Sequence, residues 1–251
     1  MKTNKAAFAA IAVLGLAGGS RAAHADTDIN GEVGLPLNPT AQIPLPGGVR
    51  VQGDYFDQKD GVKIYGIHAA GRVGDQIEIN GGIARLNGVG VLNKTGIDIG
   101  AKYLFTRETD PVGVRIAAGV GYSQALLKNT HVYVVGTKSL GAVSGDRLPV
   151  TGHLGLRYDR FSPGNGFGKS SKASVYAGAE VPLSRRGNFF LVGEVGSKNI
   201  EGGSTPFSIS ARFRPAGQGF SVNVGAARQG FNRTGLFAQI GYSFDTSQLG
   251  G

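Results

Sequence analysis

Between Gly235 and Phe244 the chain reads GLFAQIGYSF, so that Leu236, Ala238, Ile240, Tyr242 and Phe244 alternate with Phe237, Gln239, Gly241 and Ser243. A period of two is that of a β-strand with one greasy face and one mostly polar or small face. The texture recurs from Gly48 onward. It predicts twelve strands, over 48–56, 62–73, 75–86, 95–106, 111–124, 130–140, 149–161, 172–183, 187–198, 205–214, 218–229 and 233–245. Most are longer than the roughly 5 to 6 residues of a globular strand and close to the roughly 9 to 11 that a tilted strand needs to cross a bilayer. No segment carries a helix start followed by a sustained 3.6-residue period. The fold class expected is therefore all-β: a closed, antiparallel, up-and-down transmembrane β-barrel of about 12 strands. An even count brings both ends of the barrel to one side.

Where charges fall within the strands decides which face is which. In the fourth segment Ile97, Ile99, Ala101, Tyr103 and Phe105 oppose Asp98, Gly100 and Lys102. In the fifth, Val112, Val114, Ile116, Ala118, Val120 and Tyr122 oppose Gly113, Arg115, Ala117, Gly119, Gly121 and Ser123. In the tenth, Phe207, Ile209, Ala211 and Phe213 oppose Ser208, Ser210, Arg212 and Arg214. A small-plus-charged face is a poor solvent surface but a suitable barrel interior, with the apolar face turned to lipid. Tyr55, Phe105, Tyr158, Phe207, Phe220, Tyr242 and Phe244 lie near strand ends, where interfacial girdles form. A soluble periplasmic sandwich or lipocalin-like binding barrel is the competing architecture. With the first strand rising from the periplasm, Asn87–Lys94 and Ser162–Ser171 become outer loops. The connections at Gly74, Thr109–Asp110, Ser184–Arg186 and Pro215–Gly217 become short periplasmic turns; Gly141–Leu148 fits this alternation poorly.

The first 25 residues form a separate unit. Lys2 and Lys5 precede an apolar run, Ala6–Gly18, and Ala23-His24-Ala25 offers a small-residue cleavage site before Asp26: the layout of a secretory signal. Cleavage is expected after Ala25. Residues 26–47 carry Pro36, Pro39, Pro44 and Pro46, which remove ladder donors and exclude a central strand. They read as a Pro-rich periplasmic lead-in, either tucked against or inside the barrel or hanging as a loose tail. The barrel proper is 48–245, and 246–251 a C-terminal tail.

Composition narrows the class further. Glycine supplies 43 of 251 residues without a G-X-Y period, against a usual share of about 7%, which suits tight packing and bends inside strands. There is no Cys, so disulfides and thiolate metal sites are excluded. The formal charge of +9 falls to +6 without the signal, a balance suited to anionic headgroups or acidic sugars. No basic run interleaves with aromatics, so nucleic acid is not an expected partner.

The closing GLFAQIGYSF resembles the C-terminal insertion signal of the outer-membrane β-barrel proteins of diderm bacteria, with Gln239, Gly241 and Phe244 in matching places; seven residues follow Phe244, where many members stop. The resemblance covers residues 1–25 and 48–245 and implies insertion by the barrel assembly machinery into outer-membrane lipid. NPTAQIPLPGGVRV, Asn38–Val51, is similar over a short stretch to barrels associated with exopolysaccharide export.

On the inverted reading the lumen-facing candidates are Arg50, Asp54, His68, Arg72, Glu78, Asp98, Lys102, Arg115, Arg157, Asp159, Glu180, Glu194, Arg212 and Arg214. Charges of both signs in a confined interior should pair, because an unpaired buried ion is very costly. Either a self-neutralising network fills the barrel, or a narrow pore remains, in which Arg115, Arg157, Arg212 and Arg214 would favour small anionic solutes or acidic polysaccharide. A porin-like passive channel or structural barrel is the expectation, with lipid or polysaccharide export as the alternative. A barrel lipid hydrolase would need a serine beside a histidine, and His68, His131 and His153 lack that setting, so no catalytic residue is assigned. Acids scattered over strands without ligand spacing predict no metal, and no cofactor is expected. PGNGFGKS, Pro163–Ser170, has Pro163 where a phosphate-binding loop needs its first glycine and is expected to be an outer hairpin loop. Asn232-Arg233-Thr234, a glycosylation-like triplet, carries no weight without a eukaryotic secretory context.

Overall fold

The computed structural model of the chain describes residues 26–58, 61–88, 93–124, 128–142, 149–162, 170–184, 186–199, 203–215, 219–229 and 233–245. The signal segment, the C-terminal tail, Pro163–Lys169 of the P-loop-like stretch and Asn232 lie outside them. The strands are β1 (Gly48–Asp57), β2 (Lys63–Val73), β3 (Ile77–Asn87), β4 (Lys94–Thr106), β5 (Arg115–Ser123), β6 (Asn129–Ala142), β7 (Pro149–Phe161), β8 (Ser170–Pro182), β9 (Phe189–Gly196), β10 (Phe207–Phe213), β11 (Phe220–Arg228) and β12 (Gly235–Asp245). Each pairs antiparallel with its sequence neighbours. β1 pairs with β12 from Gly48↔Asp245 to Asp57↔Leu236, which closes the barrel. Closure removes every sheet edge, and with it the unpaired backbone groups that hydrocarbon cannot tolerate.

The alternation of the sequence becomes an outside and an inside. Ile67, Ile79, Ile83, Ile97, Ile99, Val132, Val134, Leu154, Leu156, Ile209 and Leu236 face out and are exposed, Ile83 by 57%. Their strand neighbours Arg50, Asp54, His68, Glu78, Asp98, Lys102, Asp159 and Arg212 face in and are at most 2% exposed. An apolar belt of this extent would be an aggregation surface in water and is a normal surface in lipid.

Two local departures from strict alternation matter. A register shift between Leu104 and Thr106 interrupts the β4–β5 ladder. β5 begins at Arg115, four residues later than the alternation predicts. Pro111 to Val114 instead finish a turn, in which Gly113 has φ +65° and its amide donates to Asp110 O over 2.8 Å. The pattern of Val112 and Val114 resembles a strand, but the positive φ at Gly113 breaks it.

Residues 26–47 fold back into the bore. From Asp26, at the end of the barrel where β1 begins and β12 ends, the segment reaches Ile29 near the opposite end, doubles back to Val33 beside Glu78 and Lys102, goes out again to Leu37 and returns past Ala41 to enter β1 at Gly48. The insert is held as a compact hairpin-like coil by bridges Thr27↔Val33 and Gly34↔Pro39. Its own amides are satisfied internally where possible: Asp28 N to Glu32 O (2.6 Å), Gly34 N to Asp26 O (2.8 Å), Leu35 N to Asn38 O (2.9 Å) and Thr40 N to Val33 O (3.1 Å). The Asp28 carboxylate accepts the amides of Asn30 and Glu32. Gly31, at φ +89°, makes the turn that a side chain would strain. Four prolines that could not serve a sheet are well suited here, since a coil asks for no ladder donors.

The interior is consequently not purely ionic. Leu37 packs with Phe56, Ile64, Ala84, Leu86, Ala227 and Phe237 near the opposite end, with Ile29 and Val62 alongside. Ala41 packs with Leu104, Ala117, Tyr133, Val135 and Tyr176, with Ile43 alongside. The wall is apolar on its inner face where the insert brings apolar side chains, because such groups have no other partner inside a charged bore.

Candidate functional site

Every strand contributes one face to the lumen, and the insert reads many of these faces at once. Its first described residue makes the most heavily charged contact. Asp26, 2% exposed, sits among three guanidinium groups on the terminal side: Arg50 of β1 (Nη2 to Oδ1, 2.5 Å), Arg212 of β10 (Nε to Oδ2, 2.8 Å) and Arg214 just beyond β10 (Nη2 to Oδ2, 2.6 Å). The Ser221 hydroxyl also donates to Asp26 Oδ1, over 2.5 Å. Arg50 is steered by the Ser243 hydroxyl (3.1 Å) and the Gly219 carbonyl (3.2 Å). Its guanidinium lies where a Cβ on Gly241 would be, so the glycine of the closing strand is what makes room for it. Glu180 is the wall acid beside this cluster, at 2.9 Å from Arg212 and 4.0 Å from Arg214.

Further along, the insert satisfies wall groups one by one. Thr27 N donates to Gln52 Oε1 (3.1 Å), and Gln52 Nε2 returns a bond to Thr27 O (2.8 Å). Val33 N donates to Glu78 (2.9 Å), while Lys102 Nζ reaches Glu78 (2.9 Å), Val33 O (2.8 Å) and Gln42 O (3.0 Å). Glu32 meets His131 at 3.1 Å. Glu194 accepts the Leu37 amide (2.7 Å), the Asn38 side chain (2.8 Å) and the Ser208 hydroxyl (2.7 Å). Ala41 N donates to Thr137 (3.0 Å), and Tyr176 donates to Pro39 O (2.8 Å). These backbone groups of the insert and these wall ions thus find partners in each other.

The wall also pairs with itself. His68 stands between Asp54 (2.7 Å) and Asp98 (3.1 Å), and Arg157 meets Asp159 (3.0 Å), which also accepts from Asn129. Gln239, named above for the insertion signal, bridges to Asp54 at 2.9 Å and is buried in the lumen. Two of the fourteen lumen candidates do not reach the bore's interior. Arg72, one residue from the end of β2, curls over its own turn to Gly74 O and Asp75 O, with Pro44 O beside it. Arg115 opens β5 and pairs with Glu108 of the adjoining turn at 2.9 Å. Both stand at the terminal mouth because their strands end there.

At the opposite end the insert stops short of the rim. A cavity of about 120 Å³ remains above it, lined by Asn30, Asn38, Asn129, Arg157, Tyr176 and neighbouring residues. Its lining is mixed, with Ile29, Leu37, Ile64 and Phe161 beside the polar groups, and Arg157 and Asp98 bring one charge of each sign. Asp26, Asp28 and Glu32, the acids of the insert, are absent from the sequence-based list of lumen residues. The signal that could have found them is the imbalance of the tenth segment, where Arg212 and Arg214 share a face with no acid of their own strand and the one acid of the adjoining segments, Glu194, stands opposite Ser208.

No protein-family profile matches the chain, and no curated sequence does. Solved structures do. Over 78% of its length the chain superposes on 99% of the KdgM porin with a TM-score of 0.52 at 12% identity. The KdgM porin in complex with disordered oligogalacturonate gives 0.51 at 14% identity, again over 78% of this chain and 99% of that one. The NanC porin in a rhombohedral crystal form gives 0.53 at 10% identity, over 78% and 98%. At such identities the likeness is one of fold: the chain is a closed twelve-stranded antiparallel barrel that shares the fold of these porins.

Proposed function

We propose that this chain is an outer-membrane passage of the porin type, closed at rest by its own N-terminal insert and selective for small anionic solutes, acidic saccharides among them. On this reading the end that carries both termini faces the periplasm. The observation that carries it is the three-arginine cluster of Arg50, Arg212 and Arg214 in the bore, in which, among the described residues, Glu180 is the wall acid that forms ion pairs. Cation rings in a confined, low-dielectric lumen select anions. The likeness to a porin solved with oligogalacturonate, a polyanion, agrees with that preference.

The barrel does not need the insert for its ladder, since β1 closes onto β12 from Gly48 onward. A bore of twelve strands lies between the eight that side chains fill and the sixteen that hold an aqueous channel. Its polar wall would hydrate once the insert is gone. The test is planar-bilayer conductance of refolded chain lacking residues 26–41. Stepwise currents with anion preference are expected. Absence of channels, or a clear cation preference, would remove the reading.

A further inference from the structure

The arginine cluster is built by the wall, whereas the carboxylate it holds belongs to a segment that no strand pairing secures. Arg50 comes from β1, Arg212 from β10, Arg214 from the residues just after it and Ser221 from β11, so four positions on three strands and one turn converge. Take Asp26 away, and among the described residues Arg212 and Arg214 keep Glu180 as an ion-pair partner while Arg50 keeps none. Three like charges confined around one carboxylate form an anion site by construction.

Asp26 fills that site incompletely. Arg50 Nε, Arg212 Nε and Arg212 Nη2 are buried and make no hydrogen bond, although Arg212 Nε stands 2.8 Å from the carboxylate and all three belong to the guanidinium groups around it. Guanidinium recognises carboxylate best as a two-pronged fork, and here one short side chain is shared among three forks. Cleavage after Ala25, expected from the sequence, would make Asp26 the first residue of the chain. The occupant is then the side-chain carboxylate of a terminal residue, whose α-ammonium group adds a further positive charge beside the three guanidinium groups.

We propose that Arg50, Arg212, Arg214 and Ser221 form a carboxylate-binding site at the terminal mouth, occupied by Asp26 in this closed state, and that soluble carboxylates compete for it and release the insert. The inference rests on the passage reading only for where such a ligand comes from. Asp26 acts as the protein's internal stand-in for its solute. A ligand that brings its own carboxylate replaces the anchor, and the insert is left on its remaining contacts to the wall, bonds to Gln52, Glu78, Lys102, His131, Thr137, Tyr176 and Glu194.

The absence of Cys from the chain makes the test direct. Thr27 is 1% exposed and its hydroxyl has no hydrogen-bond partner, so Thr27→Cys places a thiol beside the anchor without removing a bond. In refolded full-length mature barrel, reaction of this thiol with a small uncharged maleimide is expected to be slow. Glucuronate should speed it at least several-fold, and glucose at the same concentration should not. Asp26→Asn in the same background should react fast without glucuronate and respond to it little. Ala41→Cys, on the returning limb, serves as a second reporter, and heat-modifiable gel migration certifies that each variant is folded. A labelling rate indifferent to glucuronate, or indifferent to Asp26→Asn, overturns the proposal. Acceleration by glucuronate that persists undiminished in Asp26→Asn overturns it too, because the ligand would then act elsewhere. These readouts are independent of current, so a barrel that fails to conduct after loss of 26–41 sinks the passage reading without touching them.

Discussion

At Asp26 the chemistry of the bore comes down to one carboxylate shared by three cations. Removing one partner from a buried ion cluster usually costs about 3 to 5 kcal/mol, because the others remain buried and uncompensated. Asp26→Asn is therefore expected to loosen the insert, seen as faster hydrogen exchange at the amides of Gly34 and Thr40, while the amides of β1 stay protected. Gly178 is the complementary case on the wall, since a Cβ there would meet Leu35 of the insert. Gly178→Ala is expected to cost about 1 to 3 kcal/mol through overpacking, read as a lower denaturant midpoint for exchange at Leu35. A midpoint unchanged from wild type would show that Leu35 is not tightly seated. The sequence displays Gly178 as one of many glycines; that this one makes room for a residue 143 positions earlier is visible only when the insert is in place.

At the scale of elements, the strands follow from alternation and the turns decide their ends. The turn between β4 and β5 is pinned by Glu108, which accepts the Ser139 amide at 2.6 Å and pairs with Arg115. Partial burial alone would raise the Glu108 carboxyl, but hydrogen bonding from Ser139 and the charge of Arg115 outweigh it and hold the group below its ordinary range. A lowered carboxylate stabilises the fold above its unfolded value and loses that contribution as pH falls through the folded one. Protection of the Ser139 amide is therefore expected to persist from neutral pH to below about 4.5 and to fade under stronger acid. Loss of protection already near pH 6 would contradict this. Inside, Phe56 and Phe237 stack at 5.2 Å between ring centroids beside Leu37. Phe237→Ala is expected to cost about 3 to 5 kcal/mol of unfolding free energy in detergent. The strands were legible because period two is written locally. The late start of β5 was not, because the positive φ of Gly113 is a property of the turn and the valines around it still alternate.

For the whole molecule, the decisive feature is the inversion of inside and outside. Ile99, midway along β4, is 54% exposed on the outer wall. Ile99→Arg is expected to lower stability in lipid bilayers by about 2 to 4 kcal/mol, the cost of a cation near the midplane on the lipid face. It should matter far less in short-chain detergent, where the arginine can reach water; equal effects in both media would argue against a lipid-facing wall. The same inversion explains why the insert is held mainly by polar bonds: a bore lined with ions offers few apolar anchors.

What the sequence alone determined is the wall. Twelve alternating segments and their apolar and charged faces are consequences of side-chain period and turn chemistry, which act over a few residues. What the tertiary structure decided is the content of the bore. Prolines at 36, 39, 44 and 46 exclude a strand but say nothing of where a coil goes, so a tail and a plug read alike. The choice is made by pairings over long separations, Asp26 with Arg212 and Leu37 with Glu194, which exist only once the strands have closed around them.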